Sequence, residues 1–89
     1  YGGEEFIILM PHMPLATAAE RAEAWRQKIA DIRVPFGKFE PTFTTSAGVA
    51  AYPDHGKTPD ELSQSADLAL YLAKNAGRNR VIVFSADAA

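Results

Sequence analysis

A tight turn that runs directly into an apolar segment is the strongest constraint on this chain. The turn consists of two glycines and two carboxylates, Gly2, Gly3, Glu4 and Glu5. The short apolar segment Phe6–Met10 follows and ends at a proline, so it predicts a buried strand. Carboxylates at the entrance to such a strand are costly to desolvate unless they are paired or bind a cation. Two interpretations follow: a hairpin turn with solvated carboxylates, or a site where a phosphate ligand and a divalent cation approach the glycine backbone.

The segment from Leu15 to about Ile32 predicts an amphipathic helix that lies on a sheet. It is rich in good helix formers, and its apolar residues recur at three- and four-residue spacing. This stripe consists of Leu15, Ala18, Ala22, Trp25 and Ile29. We therefore expect Trp25 to pack in the core.

A second helix is predicted from Pro59 to about Asn75. Thr58 can cap it, Pro59 suits the first helical position, and Glu61 completes a capping box. Gly77 predicts a C-terminal glycine cap. The closely packed stripe of this helix is expected at Leu62, Ala66, Ala69 and Ala73.

The remaining segments predict strands. Thr42–Tyr52 alternates and is rich in Thr, Val and Phe, and its small residues, such as Gly48, favour close packing under helices. Val34–Glu40 indicates a strand edge and a turn, and Val81–Phe84 the last strand. The predicted order is β-α-β-β-α-β, an α/β sandwich in one small domain.

Composition excludes several classes of function. The chain has 89 residues and a net charge of −2, which gives no electrostatic basis for binding nucleic acid. It contains no cysteine, which excludes disulfides and thiolate metal sites. No apolar run approaches the ~20 residues of a membrane span, so we expect no membrane contact from this segment.

The turn and several later segments resemble the signature of the GGDEF family, the diguanylate cyclase domains. Residues 2–6 resemble its G-G-E-E-F form, and the match continues through Ser46–Ala50, Tyr52-Pro53 and Ala66–Tyr71. It ends with Ala73–Val81, which is similar to the family's A-K-x-x-G-R-N-x-V motif. This resemblance implies that residues 1–89 are the C-terminal portion of a single GGDEF domain with a ferredoxin-like, nucleotide-cyclase-type palm.

The resemblance also implies an activity and a set of partners. Such a domain condenses two GTP into cyclic di-GMP and pyrophosphate, with two domains facing each other as a homodimer. Glu4 and Glu5 are the implied catalytic residues. Glu4 would hold Mg²⁺ (or Mn²⁺) and help to activate the ribose 3′-hydroxyl, whereas Glu5 could instead support the turn. Gly2 and Gly3 would admit the nucleotide.

Lys74 and Arg78 lie four residues apart across the end of the second helix. On spacing alone, they could simply be cations placed favourably at the negative end of the helix dipole. The resemblance implies instead that they bind the triphosphate of GTP. Asp67, on the same helix, is either solvated or helps to position the Lys74 face. His12 and His55 are isolated histidines, which we expect at a solvated surface.

Other expectations concern regulation and context. The family often carries A-E-R-x-R on its first helix here, but this chain has Ala24 in place of the first arginine, which argues against a secondary inhibitory contact with cyclic di-GMP. An R-x-x-D inhibitory motif, a second metal-binding aspartate and a sensory domain are expected upstream of Tyr1. We expect a cytoplasmic location, with any membrane anchor in other domains, and an inactive isolated fragment. A non-catalytic module that binds GTP or cyclic di-GMP is the alternative, and a pure interaction domain is a third hypothesis.

Overall fold

The computed structural model describes residues 13–33, 37–38 and 43–85. Along these residues the elements are α1 (Leu15–Ala30), β1 (Ala47–Val49), α2 (Pro59–Asn75) and β2 (Val81–Val83). The strands pair in parallel, with the three residues of β1 facing those of β2 in order. The predicted mixture of helices and strands is therefore confirmed.

The ferredoxin-like palm and its full element order stay predictions. The strand expected at Phe6–Met10 lies outside the described residues, and so does most of the segment Val34–Glu40. Neither helix in the described ranges has the length and apolar character that a membrane crossing requires.

Helix α1 covers one face of the two-stranded sheet. Ala18 and Ala22, at the centre of its predicted stripe, are buried against Val49 of β1. Val81 and Val83 of β2 border this cluster. The outer members of the stripe are less enclosed: Leu15, Trp25 and Ile29 are only half-buried. The core prediction for Trp25 is thus met in part.

Helix α2 covers the opposite face and lies very close to the strand. Its bounds agree with the prediction, and Ala69 and Ala73 are completely buried. A Cβ atom added at Gly48 would collide with the backbone of Ala66 and Leu70. Gly48 therefore faces α2, and Val49, which follows it, faces α1, because side chains alternate along a strand.

Both strands are shorter than predicted. The pattern over Thr42–Tyr52 suggested a long strand, but within the described part of this segment, residues 43–52, the paired strand is Ala47–Val49. Within the described residues its partner is β2, which has three paired residues. Two backbone bonds extend the contact: Ala47 N–H donates to the Arg80 carbonyl at 2.9 Å, and Phe84 N–H to the Val49 carbonyl at 2.7 Å. The alternating pattern in the sequence is thus longer than the segment of β1 that pairs with β2.

Candidate functional site

The turn residues predicted to be catalytic lie outside the described ranges. These are Gly2, Gly3, Glu4 and Glu5, and His12 also falls there. Among the residues that are described, no group of three or more His, Asp or Glu side chains could hold a metal ion. The predicted ligand, Glu4, lies outside these residues, and its metal-binding role stays a prediction.

The C-terminal end of α2 is closed by a Schellman motif. Gly77 has a φ of +118°, and its N–H donates to the Lys74 carbonyl at 3.4 Å. The Arg78 N–H donates to the Ala73 carbonyl at 3.0 Å. These two bonds satisfy carbonyls that the helix end would otherwise leave without partners. The predicted glycine cap is confirmed.

Two further residues with positive φ follow the glycine. Arg78 has a φ of 63° and Asn79 of 49°, a region that side-chain-bearing residues seldom occupy, although asparagine tolerates it better than most. We call residues 77–80 the α2–β2 turn. The Arg80 Nε donates to the Arg78 carbonyl at 3.0 Å, and the Asn79 N–H donates to the Ser46 Oγ at 3.1 Å.

Lys74 and Arg78 are placed at the same end of α2. Lys74 is half-buried in the last helical turn, and Arg78 is exposed in the α2–β2 turn. Within the described ranges, the Arg78 guanidinium forms no ion pair and donates no hydrogen bond. This forked donor is therefore presented to solvent, as phosphate binding requires. Asp67 is exposed on the same helix, in agreement with solvation.

Sequence reasoning missed a hydrogen-bonded connection between α1 and the α2–β2 turn. The Arg26 Nε and Nη2 atoms donate to the two carboxylate oxygens of Glu23 at 2.8 and 2.6 Å. The third nitrogen, Nη1, donates to Asn79 Oδ1 at 2.8 Å. Two local signals were present in the sequence: the three-residue spacing of Glu23 and Arg26, and an asparagine two residues after the glycine cap.

Electrostatics in this connection favour the charged forms of both partners. The hydrogen bonds from Arg26 and from Gln27, whose Nε2 lies 2.9 Å from Glu23 Oε2, lower the pKa of Glu23 from 4.5 to about 2. The same contact with Glu23 raises the pKa of Arg26. The Glu23–Arg26 pair therefore stays ionised throughout the neutral range.

The opposite end of α2 is built around His55. The ring Nδ1 accepts a hydrogen bond from the Ala51 backbone N–H at 3.0 Å, and the backbone N–H of His55 donates to the Ala51 carbonyl at 2.8 Å. Ser65 Oγ donates to the His55 carbonyl at 2.6 Å, and the ring meets Phe84 edge to face with centroids 5.2 Å apart. The prediction that His55 lies at a solvated surface is met only in part, because the residue is half-buried and its ring contacts the loop before α2 and Phe84.

The predicted N-terminal cap of α2 is confirmed, with one difference. Thr58 Oγ1 accepts from the Glu61 N–H at 3.1 Å. The Glu61 carboxylate accepts from the Lys57 N–H at 2.8 Å, one residue before the position that a standard capping box uses. An open groove of about 600 Å³ lies at this end. Its lining includes Asp54, His55, Lys57, Glu61, Ser65 and Phe84. The groove is thus at the opposite end of α2 from Lys74 and Arg78.

Comparison with known proteins identifies the family. The model of the diguanylate cyclase GGDEF domain matches residues 1–80. The chain belongs to this family.

Three relatives illustrate the extent of the similarity. The chain is 45% identical to diguanylate cyclase DgcM of Escherichia coli K12 over 82 residues, which cover 92% of this chain and 19% of that protein. It is 40% identical to response regulator PleD of Caulobacter vibrioides over 84 residues, 92% of this chain and 18% of PleD. It is 39% identical to diguanylate cyclase DgcP of Pseudomonas aeruginosa PAO1 over 84 residues, 93% of this chain and 12% of DgcP. The chain thus spans less than a fifth of the length of each.

Proposed function

We propose that this chain is the C-terminal portion of a diguanylate cyclase domain that condenses two GTP into cyclic di-GMP and pyrophosphate. The observation that carries the proposal is the exposed guanidinium of Arg78 beside Lys74, at the end of α2, in a chain that belongs to this family. Elsewhere in the same chain, the G-G-E-E-F sequence at residues 2–6 would supply the carboxylates that such a reaction needs.

The two cations at the end of α2 are the proposed triphosphate contacts. Arginine offers a planar fork of donors that matches phosphate oxygens, and lysine offers a compact point charge. Gly2 and Gly3 have no side chains, so the nucleotide can approach the backbone closely. Together these residues would bind and orient one GTP per domain.

Glu4 is the proposed proton acceptor. In the reaction, the 3′-hydroxyl of one GTP attacks the α-phosphorus of the other, the bond to the pyrophosphate group breaks, and the hydroxyl proton passes to Glu4. Two such steps, one from each nucleotide of a facing homodimer, close the ring of cyclic di-GMP. A divalent cation, Mg²⁺ or Mn²⁺ with Glu4 as a ligand, would offset the phosphate charge. Glu5 would assist Glu4 or support the turn.

The proposal extends to cellular context. GTP is a cytoplasmic nucleotide, so we place the domain in the cytoplasm. The relatives are more than five times longer than the matched segment, which leaves room in such proteins for sensory or regulatory domains.

The test is product formation by the full-length protein that contains this chain. With Mg²⁺ and GTP, we expect cyclic di-GMP to be detected by chromatography. Glu4→Gln should abolish the product, and Glu20→Gln, the same change on the exposed face of α1, should not. Wild-type turnover by Glu4→Gln would contradict the role of Glu4. A wild-type protein that binds GTP or cyclic di-GMP but forms no product would support the non-catalytic regulatory module instead.

A further inference from the structure

We infer that Arg26 is a positioning residue for the nucleotide contact of Arg78 and that it acts through Asn79. The inference rests on the proposed function, in which Arg78 contacts the triphosphate. It assigns a role to a side chain on α1 that is separated from Asn79 by 53 positions in the sequence.

The direction of the Arg78 side chain depends on an unusual backbone. Arg78 and Asn79 both have positive φ, which costs conformational energy in residues that carry a Cβ. Such a conformation persists only where the surrounding structure holds it. The α2–β2 turn therefore needs contacts that fix it, and any contact that is lost allows Arg78 to sample other directions.

Besides the backbone bonds already described, side-chain contacts from outside the turn reach it at Asn79. Its N–H donates to Ser46 Oγ at 3.1 Å, and its Oδ1 accepts from Arg26 Nη1 at 2.8 Å. The first contact connects the turn to the segment that precedes β1, and the second connects it to α1. The Arg26 side chain is 18% exposed, and its bond to the exposed Asn79 lies at the surface end of the guanidinium.

The Arg26 guanidinium is also fixed by hydrogen bonds within α1. Two of its nitrogens form the fork with Glu23, and Gln27 donates to the same carboxylate from the next turn of α1. This arrangement leaves Nη1 pointing to Asn79 and restricts the rotation of the guanidinium. Lysine could not form the fork and reach Asn79 together, because its single ammonium lacks the planar geometry.

The expected consequence is a change in GTP affinity rather than in the chemical step. If Arg26 is removed, Arg78 must be ordered when GTP binds, which weakens binding. A contact made equally in the bound substrate and the transition state affects KM and leaves kcat unchanged. We expect Arg26→Ala to raise KM for GTP roughly threefold to tenfold, less than the loss of Arg78 itself, because the Arg78 guanidinium is still present and only its ordering is lost.

A double-mutant cycle in the full-length protein tests the inference. The variants are Arg26→Ala, Arg78→Ala and the two combined, with Arg21→Ala as a control that removes a charge from an exposed position of α1. If Arg26 acts through Arg78, the double variant should have the KM of Arg78→Ala alone. Arg21→Ala should keep the wild-type KM. Arg26→Lys should not restore the wild-type value, since charge without the fork is insufficient.

Each contrary outcome has a distinct meaning. A wild-type KM in Arg26→Ala would overturn the inference and leave the proposed function intact. The inference would also be overturned if Arg26→Ala raised KM for GTP by the same factor in the wild type and in Arg78→Ala. A general structural role of Arg26 would act independently of the Arg78 side chain. Asn79→Gly provides a second check, since glycine tolerates the positive φ but lacks Oδ1, and a wild-type KM there would also overturn the inference. An inactive wild-type protein would overturn both it and the proposed function.

Discussion

The two ends of α2 use similar polar groups in opposite ways. At the N-terminal end, Thr58, Glu61 and Ser65 all direct their side-chain oxygens to nearby backbone groups. The groove of about 600 Å³ lies here. At the C-terminal end, backbone bonds close the helix, and the Arg78 guanidinium remains exposed to solvent.

In the proposed function, the groove and the nucleotide contact lie at opposite ends of α2. Three of the side chains that line the groove, His55, Glu61 and Ser65, form hydrogen bonds with backbone groups in or beside the loop before α2. The C-terminal end instead presents the exposed guanidinium of Arg78. A phosphate is bound by charge and directed N–H groups, which a convex turn can provide as well as a cavity can. We therefore place the nucleotide contact at the C-terminal end, and the predictions below test that assignment.

The largest expected effect comes from Gly48, because it contacts α2 between the two ends and so supports both. Gly48→Val would drive a side chain into the backbone of Ala66 and Leu70, which cannot move without shifting the helix. We expect a loss of about 3 kcal/mol or more in the free energy of unfolding, measured by urea denaturation. Ala24→Val, at an exposed position of α1, is the control and should lower the free energy of unfolding by only about a few tenths of a kcal/mol. A stability close to wild type in Gly48→Val would show that α2 is not held so near the strand.

The next largest effect separates the two ends by function. Lys74→Ala and Arg78→Ala should each raise KM for GTP about tenfold or more, because the loss of one charge-assisted contact costs about 1.5–3 kcal/mol. Lys57→Ala removes a cation from the other end of α2 and should leave KM unchanged. If the two cations only complement the helix dipole, the melting temperature should fall instead and the GTP titration should match that of the wild type.

The sequence predicted α2 well because its limits depend on local chemistry. The cap at Thr58, the proline at the first helical position and the glycine after the helix act over a few residues, and each is found as expected. The tight approach of α2 to β1 was also foreseeable, since Gly48 is a small residue within a strand pattern.

Features that depend on distant partners could not be predicted in this way. The length of β1 depends on how much of β2 pairs with it. The role of His55 depends on Phe84, which is far away in the sequence and lies against its ring. The contact between Arg26 and Asn79 joins α1 to a turn at the other end of the chain. No periodicity or spacing within one segment carries such information.

A smaller effect is expected at the N-terminal end of α2. Thr58→Ala removes the acceptor for the Glu61 N–H and should lower the free energy of unfolding by about 1 kcal/mol. Thr58→Ser keeps the hydroxyl and should be close to wild type in thermal denaturation. Neither variant should alter KM for GTP if this end serves only the fold. A raised KM in Thr58→Ala with normal stability would move the nucleotide contact towards the groove.

The smallest effect is a change in the pH dependence of stability, and it concerns the support of the C-terminal end. Glu23 has a pKa of about 2 in the folded chain against 4.5 ordinarily. Because the pKa of Glu23 is lower in the folded chain than in the unfolded chain, the ionised carboxylate stabilises the fold. This stabilisation is present above about pH 4.5 and is lost as the pH falls towards 2. The side chain is 41% exposed, and solvent screening keeps the contribution small. Between pH 5 and 3, the free energy of unfolding measured by urea denaturation should therefore fall less steeply in Glu23→Gln than in the wild type. Glu20→Gln should show the same fall as the wild type. An unchanged fall in Glu23→Gln would mean that Arg26 does not depend on Glu23, and that the connection to Asn79 is held by other contacts.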